Sequence, residues 1–264
     1  MRERNLLINS IIIRITASLL TTLIHELGHF ITSVYLGNSA TLYHNMVETH
    51  TIHIDPVSKL YIPLAGPVIS LIQGIFCFLF YRRIKDGVWS LFFLWLGLSG
   101  LMVFFGYVMI GPFASNGDTG KVLQLLEIPF IWQIVIAIGA LGIFTLLLLH
   151  FHRHFERFIP QDIDNDKNLR IKWAKILIMY PVLAGIVVNT LLQFPVLFFI
   201  SILPTLTMPF SLFLVYGKLI TSNNVVYKRR NKIALRLSIP LIVILLIAIF
   251  INRYLVFGFR LPIE

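Results

Sequence analysis

The stretch Thr22–Val34, TLIHELGHFITSV, is apolar enough to lie in lipid, yet it carries His25, Glu26 and His29. Ionisable groups inside a spanning helix are rare and face a water-filled cavity or a partner, so they point to function first. On an α-helix, residues four apart lie one turn above each other, and His25 and His29 can aim two imidazoles at a single point. Imidazole suits Zn²⁺, and Glu26, adjacent to the first ligand, can reach a water held there rather than the metal itself. Ligand, base and ligand therefore stand in the order that zinc peptidases use.

The rest of the chain extends the membrane reading. Of 264 residues, 57% are hydrophobic and only 13% charged, with a mean hydropathy of +0.84; a soluble protein is roughly half apolar and a quarter charged. A bilayer core of about 30 Å takes about 20 apolar residues. Seven segments meet that length: Leu6 to Tyr35, Leu60 to Tyr81, Val88 to Gly111, Ile128 to Phe151, Trp173 to Phe194, Val196 to Tyr216 and Leu237 to Phe257. The expected fold is an all-α, polytopic transmembrane bundle of about seven helices, with Pro195, Pro204 and Pro209 kinking or breaking the fifth and sixth. Arg14 interrupts the first apolar run and no small-residue cleavage site follows, so this run reads as a retained helix rather than a signal peptide. After it, ATLYHNMVETHTIHID (Ala40–Asp55) alternates with period two and suggests a small β-hairpin.

The net charge of +10 sits in short connectors, where it sets topology and calls for a lipid bilayer, not nucleic acid, as partner. With the amino terminus inside, one side collects Arg2, Arg4, Arg82, Arg83, Lys85, five cations from Arg153 to Lys172 and six from Lys218 to Arg236; the other side has Lys59, Lys121, Arg253 and Arg260. Cys77, the one cysteine, lies in an apolar run and reads as packing. No repeat or soluble accessory domain is evident.

A catalytic zinc takes three protein ligands and leaves a fourth position open. Among acidic residues near membrane-embedded sequence, Asp118 in GPFASNGDTGKVLQLL stands between glycines that let backbone approach closely, and Glu127 is a weaker candidate. Asp118 would complete a His25, His29, Asp118 site; its alternative is to cap a helix beginning near Thr119.

HELGHFITSVYLG (25–37), PLAGPVIS (63–70) and NGDTGKVL (116–123) resemble, in this order, the three membrane motifs of the site-2 protease family of intramembrane zinc metallopeptidases. The resemblance implies one zinc per chain held by His25, His29 and Asp118, with Glu26 as the catalytic base. It covers residues 1–125, a metallopeptidase core with three transmembrane segments; the helices of 126–264 carry no motif. The chain departs from the family at Ser70, where members commonly have Asn, and in the residues leading into Asp118. The family's zinc usually lies toward the cytosol, whereas the charge count here runs the first helix outward, which leaves the active face open.

Arg14, three turns before His25, reads first as a cation snorkelling to the interface, and second as lining a water path with Ser18, Thr21 and Thr22. Asn116 could orient Asp118 or simply make a turn. His44, His50 and His53 read as non-ligands, while HFHRHFER (150–157) and YKRRNK (227–232) read as membrane-surface segments. The function expected is hydrolysis of peptide bonds in a peptide or membrane-protein substrate. A compact member without a soluble domain suits maturation of a small ribosomally made peptide, with a peptide exporter as further partner. Cleavage of a membrane-anchored regulatory protein is the alternative within the class; a transporter or a non-catalytic scaffold is the alternative outside it.

Overall fold

The computed structural model describes residues 2–51, 53–84, 87–160, 167–196, 202–222 and 236–261. Helix α1 (Arg2–Tyr35) leads into β1 (Ala40–Leu42) and β2 (Val47–Thr49). There follow α2 (Pro56–Arg83), α3 (Val88–Ile110), a short α4 (Asp118–Leu125) and α5 (Phe130–Glu156). Next, α6 (Lys167–Ala174) runs through a π-turn, Lys175–Met179, into α7 (Tyr180–Leu192). Helix α8 (Ile202–Thr207), the 3₁₀ turn Met208–Ser211 and α9 (Leu212–Thr221) precede α10 (Ile239–Tyr254), and β3 (Phe259–Leu261) comes last.

Six helices among the described residues are long and apolar enough to cross a membrane: Glu3–Tyr35, Pro56–Arg83, Val88–Ile110, Phe130–Glu156, Lys167–Leu192 and Ile239–Phe257. The chain is a helical bundle built as a multi-pass membrane protein. The sixth expected segment, Val196 to Tyr216, is not one straight helix. Residues 197–201 lie outside the described residues, and beyond them α8 and α9 are separated by the 3₁₀ turn that holds Pro209, whose missing N–H interrupts the hydrogen-bond ladder. Lys85 and the run 227–232 are also outside the described residues.

Lipid tails are as apolar as leucine, so helices in a membrane gain association from close packing and interhelical hydrogen bonds rather than from water exclusion. The α1–α2–α3 unit uses both. A Cβ on Gly100 of α3 would stand 2.6 Å from the Ser70 carbonyl oxygen of α2, so the two backbones touch only because that side chain is absent. Gln73 of α2 donates to Thr21 Oγ1 of α1 at 2.8 Å and to the Leu96 carbonyl of α3 at 3.1 Å. Around this unit Trp95, Tyr81, Phe151 and Phe155 are fully buried. Outward faces of α2 and α5 expose Ile72, Phe76, Ile131 and Leu146, as a lipid-facing surface must.

The expected hairpin forms: β1 and β2 pair antiparallel, Thr41 opposite Glu48. A third strand joins them, since β3 pairs with the other side of β1, Thr41 opposite Arg260, giving the order β2-β1-β3. His44 donates from Nε2 to the Gln193 carbonyl at 2.9 Å, docking the hairpin on the end of α7. At the opposite end of the bundle Lys172 pairs with Glu3 at 2.7 Å. The segment HFHRHFER is more interior than a surface reading allows: it completes α5, with His152, His154 and Glu156 buried, His154 against Phe78 and Tyr81, and Glu156 paired with Arg170.

Candidate metal centre

Asp118 is 93 residues from His25 in sequence, and the fold brings them together. Its carboxylate Oδ2 lies 3.1 Å from His25 Nε2 and 3.1 Å from His29 Nε2, and the two Nε2 atoms are themselves 3.1 Å apart. Among the described residues this is the one group of histidine, cysteine and acidic side chains arranged to hold a metal ion. Asp118 is the first residue of α4 but does not cap it: Gly117 occupies the cap without a side-chain bond, and the Asp118 carboxylate turns back to the imidazoles. Glu127 lies beyond the end of α4 in a left-handed conformation, φ 51°, and is not part of the group.

The outer hydrogen bonds decide which way the ring nitrogens face. His29 Nδ1 sits 2.7 Å from the Ile62 carbonyl, which can only accept, so Nδ1 carries the hydrogen. Ser70 donates its single hydroxyl hydrogen to the Gly66 carbonyl at 3.0 Å and therefore accepts from His25 Nδ1, also at 3.0 Å. Neutral, each imidazole then presents a bare Nε2 lone pair to the centre, where the carboxylate presents a third. Three acceptors facing one another at 3.1 Å repel; a positive charge, a proton or a metal ion, satisfies them. A tetrahedral ion with bonds of about 2.0–2.1 Å needs donors about 3.3 Å apart, so the triangle fits zinc with little adjustment.

Two features of the centre have no signature in the stretch around the histidines. Gly66 is one: a Cβ there would fall 2.2 Å from His29 Nε2 and 2.8 Å from His25 Cε1, so the AGP of α2 leaves the space that the imidazoles fill. The other is Tyr107 of α3, whose ring stacks on His25 with centroids 4.7 Å apart and planes at 15°. His25 is thus fixed by a hydrogen bond on its edge and a ring on its face.

Glu26 is buried, 6% exposed, and stands where two cavities meet. One, lined by His29, Asp118, Lys59 and Lys121 among others, extends past β2; the other runs along α1 past Thr22, Thr21 and Ser18 to Arg14. Glu26, Tyr107, Asn45 and Pro204 line both. Arg14 does not snorkel: it is 3% exposed and belongs to the cavity wall. Asn116 is exposed at the rim of the first cavity. His50 is engaged by Thr41 at 2.7 Å, and neither it nor His44 belongs to the centre.

Comparison of the chain with protein-family models, curated proteins and solved structures returned no match. What the centre can do follows from its geometry. Outer-sphere partners of metal-binding histidines are worth roughly 10–100-fold in metal affinity. Ser70→Ala removes the acceptor that keeps His25 Nδ1 protonated; if the centre takes up added Zn²⁺, this variant is expected to hold it more weakly by about that factor, measured by competition with a chromogenic chelator, while Ser70→Thr retains most of the affinity.

Proposed function

We propose that the protein is an intramembrane zinc metallopeptidase of the site-2 protease kind, located in the cell membrane and hydrolysing peptide bonds in a membrane-associated substrate. The observation that carries this reading is the convergence of two Nε2 lone pairs and one carboxylate oxygen on a single point, their tautomers set from outside, with the Glu26 carboxylate in the same cavity. His25, His29 and Asp118 hold the ion. When bound, zinc supplies Lewis acidity, making water a nucleophile near neutral pH and polarising a carbonyl.

The chain's own groups do the rest. Glu26 takes one proton from the attacking water as its oxygen bonds to the peptide carbon, then gives that proton to the departing amine as the C–N bond breaks. Water reaches Glu26 through the polar cavity, because hydrocarbon holds none. A helix hides its carbonyls in its own hydrogen bonds, so the substrate must arrive extended. Val47 and Thr49 of β2 border the cavity, with Asn45 and Met46 of the turn before it, and the outer edge of β2 has no partner strand among the described residues. An extended peptide can pair there by backbone hydrogen bonds, which select little for sequence. A small ribosomally made peptide, matured before an exporter carries it out, suits such a site.

Purified protein is expected to contain about one zinc per chain by elemental analysis. A strong chelator should abolish cleavage of a denatured peptide mixture, and added Zn²⁺ should restore it. Cleavage that persists in the metal-stripped protein refutes the proposal.

A further inference from the structure

Arg14 lies eleven residues before His25 on the same face of α1, about 16 Å away at 1.5 Å per residue. It carries a charge that no described group balances. Its guanidinium carbon stands 5.5 Å from the centre of the Trp95 ring. Among the described residues Nε and Nη1, both buried, have no acceptor, and no carboxylate pairs with the group. Beside it in the same cavity, Ser99 Oγ and the Asn189 amide oxygen are likewise buried without a described partner. Gly185 makes room for the side chain: a Cβ there would lie 3.1 Å from Arg14 Cγ.

A guanidinium does not lose its proton in a protein, so burial cannot neutralise it, and an unpaired ion inside a membrane protein is costly. Its planar fork of N–H donors matches a carboxylate. Arg14 and Glu26, the reacting end, line the same cavity, which at about 80 Å³ takes a carboxylate as it stands and admits a peptide strand only as its walls move apart. We propose that Arg14 receives a carboxylate of the substrate, with the Ser99 hydroxyl as an additional donor. This rests on the peptidase reading and names its substrate class: peptides cut at a set distance from a carboxylate. An extended chain advances about 3.3 Å per residue, so about 16 Å corresponds to about five residues between that group and the bond cut. The carboxylate is either a peptide C-terminus or an Asp or Glu side chain.

Binding can be read without turnover in the full-length protein in detergent. The probes are N-acetyl-pentaalanine as the free acid, its C-terminal amide, and the same amide with Glu at the fifth position. The free acid is expected to raise the melting temperature of the wild type and of Glu26→Gln, the plain amide to leave it unchanged, and the acid to bind at least ten-fold more weakly to Arg14→Gln and Arg14→Lys. A shift with the Glu-bearing amide equal to that with the acid assigns the site to side chains; a shift with the acid alone assigns it to the C-terminus. Without ligand, Arg14→Gln should melt no lower than the wild type, since it removes an unpaired charge.

Equal shifts from acid and amide, an undiminished acid shift in both Arg14 variants, or the same shift from sodium acetate at equal concentration would each overturn the assignment. So would an unliganded Arg14→Gln melting well below the wild type. If peptide cleavage is absent while the acid-specific shift stands, the peptidase reading fails and the carboxylate site survives; cleavage without that shift leaves the reverse.

Discussion

On the peptidase reading, Asp118→Ala is expected to release the metal. The substitution removes the one negative ligand and leaves two imidazole nitrogens 3.1 Å apart, too few donors for a stable catalytic zinc site, which takes three. Affinity should fall by more than the roughly 10–100-fold expected for loss of an outer partner, so that zinc is gone from protein dialysed against a mild chelator, and cleavage is gone with it. His25→Ala should behave alike. The fold survives, because α4 is short and its Gly117 cap does not use the Asp118 side chain; the helical circular dichroism should be unchanged. Full zinc retention in Asp118→Ala would show that the third ligand lies elsewhere.

Glu26→Gln separates chemistry from metal binding. Glutamine has the shape of glutamate but can neither accept the proton of the attacking water nor return it to the amine, and general acid–base catalysis is worth roughly 10²–10⁴-fold. The cleavage rate is expected to fall by about that factor with zinc content unchanged at about one per chain, because Glu26 is not part of the triangle. The comparison is made on one preparation, by elemental analysis and by mass spectrometry of peptide products. Loss of zinc in Glu26→Gln would place its carboxylate among the ligands; undiminished cleavage would remove it from the reaction.

The parts of this molecule legible in its sequence are those with local causes. Apolar runs of 20 residues and more dictate spanning helices, and His25 and His29 share a helical face whatever surrounds them. The hairpin was visible in the alternation of Ala40–Asp55, but β3 was not, because Phe259–Leu261 pairs with residues more than 200 positions away. Asp118 could be nominated only by its glycine-rich setting and by resemblance, since no spacing rule connects it to His25. Ser70 stood out as a departure from a motif, yet its use as the acceptor for His25 depends on how α2 lies against α1. Arg14 is ambiguous in sequence for a similar reason: a cation ten or more residues inside a helix normally reaches for the interface, and what holds it on the cavity wall instead, Trp95 and the gap at Gly185, comes from α3 and α7.

The missing side chain at position 66 ties the centre to its scaffold. With the imidazole of His29 occupying the volume a methyl group would claim, the seam between the first two helices has almost no play: a shift of one ångström along it is also a shift of the ligands. Substitutions far down that seam, chosen with no thought of chemistry, should therefore register first as a weaker grip on the ion, and only later as a looser bundle.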